Sequence, residues 1–194
     1  LRGLNAGFGE PLAHELPGLA ALGVQMVRTG AEPDRSSDED VRRMIADFIG
    51  SPIRPLFIIG GQGWWMTNLG REHLLVSDMQ GMTNQLMRLA QETSLWPAGF
   101  DVECCNEPDL GVGYRPLTPE GYAALARYGC YDAARAAGFA GEILVGAVSS
   151  RGVDSAEYLD RIVFTGLIPE DAVMSFHRYP IRMDPEVPHN GFYD

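Results

Sequence analysis

The feature that most constrains the fold is the alternation of short, almost continuously apolar segments with longer amphipathic ones. The apolar segments are Leu4–Phe8, Val24–Thr29, Pro55–Ile59, Phe100–Cys105, Glu142–Val148 and Ala172–Phe176. Strands that are apolar on both faces are typical of a parallel sheet that is covered by helices on each side. The pattern therefore predicts an α/β fold in which parallel strands alternate with helices.

The segments between these strands carry helix signals. An amphipathic helix begins near Asp38, with its apolar residues on one stripe. A later helix has Thr118–Pro119 as its N-cap and first-turn pair and Gly138 as its C-terminal stop. The first helix is poorly periodic, and we expect Pro17–Gly18 to interrupt it.

Two architectures are compatible with such a sheet, and the turns between elements favour one of them. A doubly wound sheet that binds dinucleotides carries a G-x-G-x-x-G turn after its first strand, whereas this chain has Gly7-Phe8-Gly9-Glu10-Pro11. Polar residues instead follow several successive strands, as catalytic groups do in a (β/α)₈ TIM barrel. A complete barrel takes about 250 residues and eight βα units. Because about six units are visible, we expect residues 1–194 to be a single catalytic barrel domain that is truncated before its seventh strand.

Composition excludes several classes of function. The formal net charge of −11 argues against nucleic acid as a partner, because binding phosphates depends on basic side chains. Every basic residue apart from histidine is Arg, and the absence of Lys rules out Schiff-base catalysis and P-loop phosphate binding by this chain. No apolar run approaches the ~18–20 residues that span a bilayer, so we expect no membrane role. Nothing indicates a cofactor or a metal.

The three cysteines are Cys104, Cys105 and Cys130. They lack C-x-x-C spacing, and an odd number does not make a disulfide framework. Two of them lie in a predicted apolar strand, where cysteine behaves as a small buried side chain. We therefore expect all three to be packing residues.

The strongest candidate for chemistry is Glu107, at the end of the fourth predicted strand in the sequence Asn106-Glu107-Pro108. A carboxyl group at the rim of an apolar strand is partly desolvated, which raises its pKa and suits it to donate a proton near neutral pH. Asn106 can hydrogen-bond a sugar hydroxyl. On its own, however, an Asn-Glu-Pro sequence is also an ordinary exit from a strand into a turn.

Aromatic and histidine residues after other strands add candidates for ligand binding. Trp64 and Trp65 follow a glycine-rich strand end and can either stack on sugar faces or pack in the core. His177 and Tyr179 follow the sixth strand. A single histidine in such a place is more often structural, so its role depends on what lies near it.

Three of these segments together resemble a known group of enzymes. The chain is similar to the clan A glycoside hydrolases in Asn106-Glu107-Pro108 after strand four, in Ser175-Phe176-His177-Arg178-Tyr179-Pro180 at strand six, and in Arg28 at the end of strand two. Within that clan, Asp109-Leu110 and the Arg and Thr residues before Pro116 and Pro119 look most like family 79, the β-glucuronidase and heparanase group. Families 39 and 5 are the other possibilities.

The resemblance implies a retaining glycoside hydrolase that acts on a β-linked carbohydrate. Glu107 would be the general acid/base, and Asn106 would hold the sugar 2-hydroxyl. His177 and Tyr179 would line the cleft, and Arg28 would set the charge state of the nucleophile. The nucleophile would be a Glu on the missing seventh strand, so we expect the 194-residue chain alone to be inactive.

Two other functions use the same residues. A divalent-metal-dependent sugar isomerase or lyase would use Glu103, Glu107, Asp109 and His177 as oxygen and nitrogen ligands. A metal site does not require Asn106-Glu107-Pro108, which favours the hydrolase. A non-catalytic carbohydrate-binding remnant is the third possibility.

Overall fold

Six parallel strands form one curled sheet. The computed structural model describes residues 3–5, 12–30, 37–60, 75–110, 117–149 and 155–177. The strands are β1 Gly3–Asn5, β2 Met26–Thr29, β3 Arg54–Ile59, β4 Asp101–Cys104, β5 Ile143–Ser149 and β6 Val173–His177. They are hydrogen-bonded in chain order, from β1 to β6. The predicted α/β fold with a parallel sheet is therefore confirmed.

Helices alternate with these strands. They are α1 Leu16–Ala21, α2 Asp38–Ala46, α3 Val76–Ala90, α4 Pro119–Ala124, α5 Asp132–Ala136 and α6 Ser155–Phe164. None of the helices in the described ranges is long and apolar enough to cross a membrane.

The strand order bears on the two architectures considered above. In a doubly wound sheet the strand order reverses at a switch point, and ligands bind there. Here every strand from β1 to β6 is added on the same side of the one before it, so the described sheet has no such reversal. All five strand pairs are parallel, and their carboxyl ends therefore lie along one edge of the sheet, here called the carboxyl edge.

The predicted helix ends are confirmed in the fourth βα unit. The Thr118 side chain accepts a hydrogen bond from the Gly121 N–H over 3.1 Å, Pro119 begins α4, and Gly138 has a φ of +86° after α5. Between α4 and α5 the chain forms a π-helical segment, Leu125–Tyr131, which the sequence pattern did not indicate.

The expectation for the first helix is wrong in one respect. Pro17 does not interrupt α1 but lies in its first turn, where a missing N–H costs no intrahelical hydrogen bond.

The core lies between the sheet and the helices and is held by a line of aromatic rings. Phe57 on β3 contacts Phe48 after α2 with ring centroids 5.8 Å apart, and Phe100 before β4 at 5.4 Å. Phe100 in turn contacts Phe139 at 4.7 Å. Offset and edge-on aromatic pairs of this kind stabilise a fold beyond their buried area. The core therefore fixes β3 and β4, the two strands that lead into the candidate site.

The cysteine prediction is wrong for two of the three residues. Cys104 at the end of β4 forms a disulfide with Cys130 in the π-helical segment. Cys105 is buried, as expected. The pairing was missed because it joins a strand to a helix 26 residues later, and nothing in the spacing identifies it.

Candidate functional site

The backbone leaves the regular strand conformation where β4 ends. Cys105 and Glu107 have φ values of 68° and 47°, and Ala147 on the neighbouring strand β5 has a φ of 43°. Residues other than glycine rarely occupy this left-handed region, and each costs of order 1–3 kcal/mol unless its surroundings impose it. Such residues cluster at active sites and ligand sites. The strain therefore marks the segment around Glu107 as a candidate site.

Hydrogen bonds to both neighbouring strands hold this segment. The Cys105 and Asn106 N–H groups donate to carbonyl oxygens at the end of β3, over 2.8 and 3.2 Å. The Glu107 N–H donates to the carbonyl oxygen of Ala147 over 3.0 Å. Glu107 is thereby fixed across the carboxyl edge of three adjacent strands.

Strand β5 has an irregularity that brings Ala147 to Glu107. The register of β5 against β6 shifts between Val145 and Val148. At this bulge Gly146 has a φ of +100°, and a Cβ there would lie 2.7 Å from the carbonyl oxygen of Ser175. Only glycine fits so close to the next backbone. The bulge turns the Ala147 carbonyl toward β4.

A buried tyrosine connects the end of β4 to this bulge. The Tyr122 hydroxyl on α4 donates to the Cys104 carbonyl oxygen over 2.8 Å and accepts from the Gly146 N–H over 2.7 Å. Burial raises the pKa of Tyr122 well above its usual value, so the hydroxyl keeps the proton it donates. One side chain thus bridges a carbonyl at the end of β4 and an N–H at the bulge of β5.

Arg28, near the end of β2, donates hydrogen bonds to three side chains, one of which belongs to the candidate residue Asn106. Its Nε donates to Glu103 Oε2 over 3.1 Å, and its Nη2 donates to Glu103 Oε1. The same Nη2 donates to Asn106 Oδ1 over 2.6 Å, and Nη1 donates to Asn5 Oδ1 over 3.3 Å. Three side chains, one from β1 and two from β4 and the segment after it, therefore surround one guanidinium group.

Glu107 is almost fully buried, with 6% of its surface exposed. The predicted acid thus lies in the low-dielectric surroundings that suit a proton donor.

Asp109 supplies a second carboxyl group nearby. Its Oδ1 accepts from the Ser149 N–H over 2.9 Å, while its buried Oδ2 has no hydrogen-bond partner in the described structure. Burial raises the pKa of Asp109, against the lowering effect of the bond from Ser149, and the charge of Glu107 raises it further whenever Glu107 is ionised. The contact of Asp109 with Ser149 was not predictable from local sequence, since it joins a turn to a strand 40 residues later.

The other predicted residues are placed as follows. Strand β6 ends at His177, whose backbone is in register with Ser149, the residue that binds Asp109. The carboxyl ends of β2, β4, β5 and β6 thus carry Arg28, Asn106 and Glu107, Ser149 and His177 along one edge. Three predicted site residues lie outside the described residues: Trp64, Trp65 and Tyr179.

The described residues contain no group of three or more His, Cys, Asp or Glu side chains arranged to hold a metal ion. Both oxygens of Glu103, one of the ligands that a metal site would need, accept hydrogen bonds from Arg28.

No known protein family model matches the sequence, and no curated protein is significantly similar to it.

Proposed function

We propose that this chain carries the acid/base half of the active site of a (β/α)₈-barrel glycoside hydrolase, which cleaves a β-linked carbohydrate with retention of configuration. The observation that carries the proposal is the buried Glu107 carboxyl, held in strained backbone next to Asn106 at the carboxyl edge. In TIM-barrel enzymes the active site lies at this end of the strands. The sequential parallel order of β1 to β6 is the order of such a barrel.

The proposed role of Glu107 follows from its environment. A buried carboxyl group favours its neutral form and can protonate the leaving-group oxygen as the glycosidic bond breaks. Once the leaving group has departed, the resulting carboxylate takes a proton from the water that attacks the glycosyl-enzyme. General acid and base catalysis by one positioned group contributes about 10²–10⁴-fold to the rate.

Retaining hydrolysis also needs a carboxylate nucleophile about 5–5.5 Å from the acid. As the resemblance to clan A implies, we assign this role to a Glu on a seventh strand. Asn106 would bind the sugar 2-hydroxyl, His177 and Tyr179 would line the cleft, and Trp64 and Trp65 would stack on sugar rings. The similarity of residues 106–110 to family 79 suggests a uronic acid as the sugar.

Glu107→Gln tests the proposal in a form of the protein that includes strands seven and eight. The variant keeps the shape of the side chain but cannot donate the proton. We expect hydrolysis of aryl β-glycosides with poor leaving groups to fall by about 10²–10⁴-fold, and that of substrates with good leaving groups to fall much less. Comparing kcat/KM for the two substrate types measures this difference.

Glu142→Gln is the matched control, because Glu142 is an exposed residue just before β5, at the opposite edge of the sheet. It should leave both rates unchanged. An undiminished rate of Glu107→Gln on poor leaving groups would show that Glu107 is not the acid. Activity that needs an added divalent cation, and that Glu107→Gln lowers equally for good and poor leaving groups, would favour the metal-dependent isomerase or lyase instead.

A further inference from the structure

We propose that Glu103 is a positioning residue, which acts through Arg28 to fix the orientation of the Asn106 amide toward the sugar. This inference rests on the proposed function, because it explains how the chain presents the group that would bind the 2-hydroxyl. The juxtaposition that carries it is a single guanidinium nitrogen, Arg28 Nη2, bound to both Glu103 and Asn106.

Glu103 first fixes Arg28. Its side chain is only 1% exposed, and a carboxylate buried to that degree requires a cationic partner with good geometry. Arg28 provides one through two parallel N–H···O bonds, from Nε to Oε2 and from Nη2 to Oε1. A two-point contact of this kind sets the plane of the guanidinium group as well as its position.

The fixed guanidinium group then selects one orientation of Asn106. The two ends of an asparagine amide have almost the same shape, so the hydrogen-bond network decides which end points where. Arginine only donates, and its Nη2 therefore has to meet the amide oxygen, which lies 2.6 Å away. The Nδ2 end is consequently turned to the side opposite Arg28.

The orientation determines what Asn106 can recognise. An amide held in this way offers N–H donors on its far side, which suit the oxygen of a sugar hydroxyl as an acceptor. If the amide rotates, its oxygen and nitrogen exchange places, and the match to that hydroxyl is lost. Glu103 would thus affect the binding of one hydroxyl without touching the sugar.

Replacing Glu103 with Gln should break this chain of contacts. The carboxamide accepts at only one end, and its NH₂ faces an N–H of Arg28, so the two-point contact cannot form. Glu103→Asp is a second variant with the same prediction, because it keeps the charge but its shorter side chain cannot reach both nitrogens of the guanidinium group. If one of the two variants folds poorly, the other still tests the proposal.

Asp101→Asn is the matched control. Asp101 lies two residues earlier on β4, is equally buried, and forms a two-point contact with Arg54. That pair does not involve Asn106. Removing its charge changes the same strand by the same chemistry and should affect substrates with and without a 2-hydroxyl equally.

The kinetic experiment compares an aryl β-glycoside with its 2-deoxy analogue, in the protein that includes strands seven and eight. For Glu103→Gln and Glu103→Asp we expect kcat/KM to fall about 10–100-fold on the glycoside and less than about threefold on the analogue, as for the loss of one matched hydrogen bond. Asp101→Asn should not change the ratio of the two rates. Equal losses on both substrates in Glu103→Gln would assign Glu103 a structural role only and overturn the proposal.

A second readout does not need turnover. The side-chain NH₂ signals of Asn106 are identified in a ¹H–¹⁵N spectrum by their disappearance in Asn106→Ala. They should shift in Glu103→Gln and stay in place in Asp101→Asn, and unchanged signals in Glu103→Gln would overturn the proposal. If the wild-type protein cleaves no β-glycoside, the proposed function fails, while this spectrum still decides whether Glu103 orients Asn106.

Discussion

Strand β4 carries the same type of ion pair near each of its ends, and the two pairs are used differently. At its start, Arg54 binds Asp101 and also donates to the main-chain oxygens of Ala98 and Phe100. Asp101 accepts in addition from the Glu142 N–H over 2.9 Å. This pair therefore links the main chain before β4 to the main chain before β5.

The pair at the other end, Arg28 with Glu103, binds further side chains rather than main-chain groups. Arg28 donates to Asn5, Glu103 and Asn106, all through side-chain oxygens. A side chain that is held by another side chain can still present its remaining groups to a ligand. The comparison shows that one kind of contact can serve the fold at one edge of the sheet and orient a candidate site at the other.

The two edges of the sheet also differ in which residues adopt left-handed backbone conformations. Turns that enter β2, β5 and β6 place glycines in the left-handed region: Gly23, Gly138 and Gly166. Glycine adopts that conformation at little cost. At the carboxyl edge the described left-handed residues include Cys105, Glu107 and Ala147, for which it is unfavourable. We infer that the strain is maintained there because it places particular side chains.

Asp101→Ala gives the largest effect that we expect on stability. The change leaves Arg54 without its carboxylate and the Glu142 N–H without its acceptor. Breaking a buried pair costs about 3–5 kcal/mol, and because Arg54 is about a third exposed we expect a loss near the lower end, about 3 kcal/mol. Urea unfolding measures it. A loss below about 1 kcal/mol would mean that this pair does not fasten the backbone as described.

Tyr122→Phe should have a smaller effect, because it removes one hydroxyl and no charge. The Cys104 carbonyl and the Gly146 N–H would lose a partner in a place that water does not reach. Burying unsatisfied groups of this kind costs about 1–3 kcal/mol. The same unfolding measurement tests this, with the exposed Tyr128→Phe as control. Equal stabilities of the two variants would show that the hydroxyl bridge contributes nothing.

Asp109→Asn should have the smallest effect on the free energy of unfolding, and the size of that effect depends on pH. The pKa of Asp109 is raised by burial and then by Glu107, so the folded chain holds this proton more tightly than the unfolded chain. Its contribution to stability is therefore greatest at low pH and falls as the pH rises through the ordinary value and up to the raised one. Asparagine keeps the acceptor for Ser149 but does not ionise.

The measurement is the difference in unfolding free energy between Asp109→Asn and the wild type, from about pH 3 to pH 7. The stability of the variant relative to the wild type should increase as the pH rises. A difference that is constant with pH would contradict the raised pKa.

The elements of this fold were predictable because local sequence determines them. Apolar runs predict each strand, and Thr118, Pro119 and Gly138 predict the ends of the fourth unit's helical region, as the structure has them. These signals depend on side chains within a few residues of one another, so no knowledge of the tertiary structure is needed to interpret them.

The geometry of the candidate site was only partly predictable. Asn106 and Glu107 could be singled out, because a polar sequence at the end of an apolar strand is a local signal. The partner of Arg28 could not be predicted, because Glu103 is 75 residues away in sequence and binds Arg28 across the intervening strand β3. The left-handed residues and the bulge at Gly146 were equally invisible, because they arise from contacts between strands rather than from the preferences of single residues.

The disulfide between Cys104 and Cys130 makes a covalent ring of the chain between them, and Asn106 and Glu107 are members of that ring. A protease that cuts the backbone once within the ring therefore releases no fragment. Both new ends stay joined through the sulfur atoms, one to β4 and the other to the π-helical segment. The proposed acid would thus remain attached to the rest of the protein after a cut that, in an open chain, would separate it from the helices that follow.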